Sequence, residues 1–174
     1  MVSSAITARW HGLDLIATVV DSLVDDAVRS AATDGGPFAA MILDATSGAV
    51  VCRATNRVTA TPDPTAHAEV NAIRTAAAAA GSAALDGMIL LASCEPCPMC
   101  LAAALWARLD GVVFLATRQD AAAAGFDDEV FHEALGTPGV LPSSIAGMRV
   151  VHVQHARHVE PFAAWIANEE RIHY

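Results

Sequence analysis

The chain has no lysine: its positive charge comes from ten arginines alone, set against nineteen Asp and Glu for a net charge of −9. Those arginines are scattered from Arg9 to Arg171. A negative chain repels a polyanion unless its cations gather on one face, so a nucleic-acid substrate is disfavoured and a small molecule favoured. Long apolar runs are lacking too. Hydrophobic residues make up 54% of the sequence, yet polar residues interrupt every run well short of the ~18 that a membrane span needs. The stretch Met1 to Trp10 has no basic start followed by a long apolar block, which argues against a secretory signal. Cysteine is sparse, with four in 174 residues, and without an export signal this favours a reducing compartment, so the expected location is the cytoplasm. No repeat and no domain linker is visible. Residues 1–174 read as one domain, long enough to bury roughly 70% of the surface the unfolded chain would expose.

What is present reads as alternating helices and strands. Leu13, Ile16, Val20, Leu23 and Ala27 recur at helical spacing, predicting an amphipathic helix over about 13–33, ended by Gly35-Gly36. Apolar runs at 38–44 and 49–54 flank Thr46-Ser47-Gly48 and predict a β-hairpin. A helix over 66–80 is predicted to end at Gly81, followed by a strand at 88–92, a helix at 98–108 and a strand at 111–116. Short helices at 121–125 and 129–135, a strand at 148–153 and a helix at 161–171 follow, with 136–144 the most loop-like stretch. Strand, helix, strand in succession implies a right-handed crossover and a parallel pair, hence a five-stranded mixed sheet with the hairpin at one side.

The chemistry concentrates in two motifs, His67-Ala68-Glu69 and Pro96-Cys97-Pro98-Met99-Cys100. Imidazole nitrogen and cysteine thiolate are preferred zinc ligands, and one histidine with a Cys-x-x-Cys pair supplies three of them, leaving a fourth position for water or hydroxide. Glu69 stays near the metal without binding it, which suits a general base. Pro98 is tolerated in a helix's first turn, so Cys97 and Cys100 fall at a helix start, where free N–H groups favour thiolates. A rival arrangement takes Cys94 as a fourth ligand of a closed structural site, but it gives Glu69 no task. Cys52 reads as a small buried hydrophobe in a strand. His132 and the remaining histidines show no ligand spacing among themselves.

The paired motifs are the signature of zinc-dependent nucleobase deaminases. Pro64-Thr-Ala-His-Ala-Glu-Val-Asn-Ala-Ile-Arg74, Ser93 to Ala102 and Trp106-Ala-Arg108 resemble the bacterial guanine deaminases of the cytidine deaminase superfamily, and Gly35 to Phe38, Asn56 to Val58, Asp120 to Asp128 and Tyr174 match that branch in order. The resemblance implies a cytidine-deaminase-like three-layer α/β/α fold, one Zn2+ per chain, and hydrolysis of guanine to xanthine and ammonia. It also implies a homodimer, in some relatives with exchanged C-terminal segments. It makes Glu69 the proton shuttle and gives Asp128 a share in proton transfer. It places Asn56 and the terminal ring of Tyr174 against the base, and from the residues themselves Phe38 is a candidate to stack on the ring and backbone near Ala68 to orient it. Each also has a plainer reading: a turn for Asn56, a helix cap for Asp127 or Asp128, core packing for Phe38 and a frayed end for Tyr174. Glu95 serves either the site or a free loop N–H. Ala39 stands where the family pattern has Gly, so a sister reaction on guanosine, cytidine, cytosine or a triazine such as ammeline stays open. A non-enzymatic zinc module is the reading from another class.

Overall fold

The computed structural model describes residues 16, 19–33, 35–136 and 141–173. Six helices and six strands follow in order among them: α1 (Val20–Ala31), β1 (Ala39–Asp44), β2 (Val50–Thr55), α2 (Ala68–Ala80), β3 (Met88–Cys94), α3 (Pro98–Trp106), β4 (Gly111–Ala116), α4 (Arg118–Ala123), α5 (Glu129–Ala134), β5 (Ser144–Ile145), β6 (Met148–His152) and α6 (Glu160–Ala167). The sheet order is β2-β1-β3-β4-β6-β5. β1 is antiparallel to β2 and β3, β3, β4 and β6 run parallel, and β5 is antiparallel to β6. The sheet is therefore mixed, with the hairpin at one side as the spacing predicts.

It has six strands where the sequence predicts five. The added strand, β5, is two residues long and folds back onto β6 through Ala146 and Gly147, both at positive φ. Such a turn favours Asn-Gly or Asp-Gly, and an alanine there hides the hairpin from a pattern search.

Strand alternation sorts the core into two layers. Met41, Leu43, Ile89, Leu91, Val113 and Leu115 pack against Leu23, Val24 and Ala27 of α1 on one face. Ala40, Ile42, Leu90 and Val112 pack on the other against Ala72 and Ala76 of α2 and Leu101 and Ala104 of α3. The small side chains of α2 let it lie close to the sheet, and alanine costs it little entropy. The result is the expected three-layer α/β/α architecture. No helix among the described residues is long and apolar enough to cross a membrane.

Two helix ends differ in mechanism. Gly81 ends α2 as predicted, at φ 62° in the left-handed region. Gly35 and Gly36 do not end α1, which stops at Ala31, where the Thr33 hydroxyl donates to the carbonyls of Ser30 and Arg29 at 3.1 and 3.2 Å. Gly35 serves close approach instead: a Cβ there would fall on the Ser30 hydroxyl and 2.8 Å from the Asn56 carbonyl oxygen. The predicted start of α1 at 13 lies outside the described residues.

Candidate active site

The parallel strands β3 and β4 end side by side, with Cys94 paired to Ala116, and the loops beyond their carboxyl ends build the site, as open α/β sheets generally place their ligands. His67 and Cys97 occupy the N-cap positions of α2 and α3 in extended backbone, and neither side chain caps its helix. Both are thereby turned toward one point. Pro98 takes the first helical position of α3, and Cys100 follows in the same turn.

His67 Nδ1 lies 3.7 Å from Cys97 Sγ and 3.6 Å from Cys100 Sγ, and the two sulfurs are 3.6 Å apart. Zinc–sulfur and zinc–nitrogen bonds of about 2.3 and 2.0–2.1 Å at tetrahedral angles call for S···S near ~3.8 Å and N···S near ~3.5 Å. The observed triangle fits that donor set. These three form the sole cluster of three or more potential ligands among the described residues. Cys94 is not part of it, because its thiol points to the Thr117 carbonyl at 3.6 Å.

The thiols share protons in a way that suits a cation. A hydrogen bond from Cys100 pulls the Cys97 thiol down to about 4 despite burial, with His67 helping. Cys100 is pushed well above its ordinary range, first by that same bond and then by burial. Burial works against protonation of His67, but its bond to Cys97 and the neighbouring Glu69 charge raise it overall. Metal binding requires deprotonated ligands and displaces such protons.

A cavity of about 270 Å³ opens beside the triangle, lined by His67, Glu69 and Cys97 on one side and by Asn56, Phe38, Phe126, Phe131 and Asp128 on the others. That is at the small end of the ~300–1,000 Å³ common for ligand pockets, a size for one flat heteroaromatic molecule. Glu69 is 7% exposed, and burial lifts its carboxyl to about 7, with His67 pulling the other way. An acid–base group works best with a pKa near the operating pH.

Asn56 serves its turn and lines the pocket as well. Its Oδ1 accepts from the Val58 N–H at 3.1 Å, a turn bond that fixes the amide of a residue that also lines the cavity. Asn71 of α2 donates to the carbonyls of Thr55 and Ala66, both at 3.1 Å. One side chain thus ties down the neighbours of Asn56 and of His67. Phe38 lines the cavity with its ring edge-to-face against Phe126 and Phe162, centroids 5.0 and 5.8 Å away. The side chain of Ala68 belongs to the core under α2, so its backbone is the part next to the ligands.

Both members of the acidic pair line the cavity. Asp127 Oδ1 accepts from the Glu129 N–H at 3.1 Å and takes the local role. Asp128 stands at the N-cap of α5 without a capping bond, lines the cavity, and is raised by burial against the pull of His132. Tyr174 lies outside the described residues.

Two groups escape the sequence reading. Arg118, 4% exposed, sets its Nε 3.6 Å from Glu95 and 3.5 Å from Glu129, and its N–H donates to Glu95 at 3.2 Å. Glu95 therefore serves a helix N–H and a buried guanidinium together. The signal for this placement is Thr117-Arg118-Gln119-Asp120, a capping box that starts α4 at Arg118. His132, fully buried, sits 3.3 Å from Asp128, and its signal is the four-residue spacing on a helix.

Comparison with known proteins agrees with this geometry. Residues 16–116 match the family model for the cytidine and deoxycytidylate deaminase zinc-binding region. The guanine deaminase of Bacillus subtilis (strain 168) is 44% identical over 131 residues, 75% of this chain and 80% of that one. The X-ray structure of guanine deaminase from Bacillus subtilis superposes with a TM-score of 0.60 at 37% identity, covering 88% of this chain and 98% of that one. A crystal structure in complex with 2,6-diaminopurine gives a TM-score of 0.68 at 26% identity, over 88% of this chain and 82% of the other. With a histidine and two cysteines arranged for zinc, and Glu69 beside them, the chain belongs to the cytidine and deoxycytidylate deaminase zinc-binding family.

Proposed function

We propose that this chain is an aminohydrolase that converts guanine and water to xanthine and ammonia. The observation that carries this reading is Glu69, buried beside the His67, Cys97 and Cys100 triangle at the wall of a cavity sized for one base. The Bacillus guanine deaminase relative supplies the choice of base.

His67, Cys97 and Cys100 would hold zinc, which when bound would supply a water acidified enough to attack the amino-bearing carbon. Glu69 removes the proton from the attacking water and returns it to a ring nitrogen of the base, so it ends the step as it began. The amide NH2 of Asn56 donates to the edge of the base and keeps the ring in register. Asp128 accepts from the exocyclic amino group and shares in passing to it the second water proton, released as the added hydroxyl becomes the new carbonyl, so that it leaves as ammonia. Phe38 and Phe126 close the cavity with apolar surface and exclude water. On the family resemblance, Tyr174 is a further candidate contact to the base. The protein works as a homodimer in the cytoplasm on this reading, and light scattering that finds a monomer would remove the first of these.

Ammonia release measured against a panel of purines, pyrimidines and nucleosides tests the proposal. Guanine should be the best substrate. Faster release from guanosine, cytidine, cytosine or ammeline would reassign the enzyme to a sister activity, and none from any member with zinc bound would overturn the catalytic reading.

Gly35 gives a second check on Asn56. Gly35→Ala forces the new methyl against Ser30 and the Asn56 carbonyl, overpacking that costs about 1–3 kcal/mol. The expected result is a lower melting temperature and a higher KM for guanine with zinc content unchanged. An unchanged KM in a folded, destabilised variant would separate Asn56 from base binding.

A further inference from the structure

We propose that His132 is a positioning residue for Asp128, engaging one carboxylate oxygen so that the other is presented to the amino group of the base. This rests on the reading of Asp128 given above. His132 lies on α5 one turn after Asp128, and its Nε2 is 3.3 Å from Asp128 Oδ2, within ion-pair reach but not aligned as a hydrogen bond, as catalytic contacts often are before substrate binds.

Three features set this pair apart from ordinary core packing. Val130 and Phe131 on the same short helix and Leu135 at its C-cap are 60–67% exposed while His132 is 0% exposed, so the position nearest the interior is given to the polar residue and the outer ones to apolar side chains. Burying an imidazole costs free energy unless its nitrogens are engaged, and one nitrogen faces Asp128. Asp128 in turn makes no side-chain capping bond at the N-cap position it occupies. A carboxylate with two oxygens, 26% exposed and held from behind, has one oxygen for His132 and one for the cavity.

Steady-state kinetics on guanine for H132F, H132Q, D128N and the D128N/H132F double variant, each with zinc content measured, tests this. H132F should lower kcat/KM by roughly 10–100-fold, the scale of supporting partners that orient a reacting group, mainly in kcat and with zinc retained. H132Q, which keeps an N–H donor at similar reach, should recover most of that loss. In the D128N background the same substitution should cost less than about twofold, because coupled residues do not add. H132F at the wild-type rate, or an equal loss in both backgrounds, would overturn the inference and leave Asp128 in place. D128N at the wild-type rate would instead remove Asp128 from the reaction and the inference with it. If H132F does not fold, H132N, too short to reach Asp128, replaces it in the same comparison.

Discussion

Glu69→Gln is expected to keep its zinc and lose about 10²–10⁴-fold in guanine turnover, the range for a positioned acid–base group. The substitution preserves the shape of the side chain and its burial at the first turn of α2. It removes the ability to take a proton from water and hand it on. The metal triangle does not include Glu69, so metal content should not change. The decisive measurement pairs kcat with elemental analysis of the same sample. A near wild-type rate with zinc in place would remove Glu69 from the mechanism, and loss of zinc would turn it into a ligand.

Removing the metal should be more severe still. Cys97→Ser is expected to leave zinc substoichiometric and ammonia release at background, because one corner of the triangle is lost together with the thiolate that Cys100 and His67 stabilise. Dialysis of the wild-type protein against a chelator should do the same reversibly, with zinc restoring activity and raising the melting temperature, since a metal that binds only the folded chain stabilises it. Cys94→Ala supplies the contrast. Its thiol faces the Thr117 carbonyl, so zinc should remain at one per chain, and zinc loss in that variant would revive a closed four-ligand site.

The metal site was legible in the sequence because its information is local and chemical. Three ligands of the right type, a proline at a helix start and an acid two residues from the histidine need no knowledge of the rest of the fold. The layering of the core was implied only by the family resemblance, because β1 is a continuous apolar run, buried along nearly its whole length, with no alternation to sort Met41 and Leu43 from Ala40 and Ile42. What stayed hidden depends on pairings across the chain. Arg118 meets Glu95 from 23 residues away and Asn71 meets Thr55 from 16, and no pattern within either helix announces the partner. Gly35 was misread because a glycine after a helix usually marks its end, whereas here the close Asn56 backbone requires it. His132 was overlooked because a histidine without ligand spacing looks ordinary until α5 places it under Asp128.

Much of the cavity lining comes from one continuous stretch, Arg118 to Phe131, which contributes Arg118, Phe126, Asp127, Asp128 and Phe131 and no ligand to the triangle. The zinc ligands and Glu69 thus sit on other stretches of chain than Phe126 and Phe131, so substitutions at these two rings can reshape the pocket while the metal triangle stays intact.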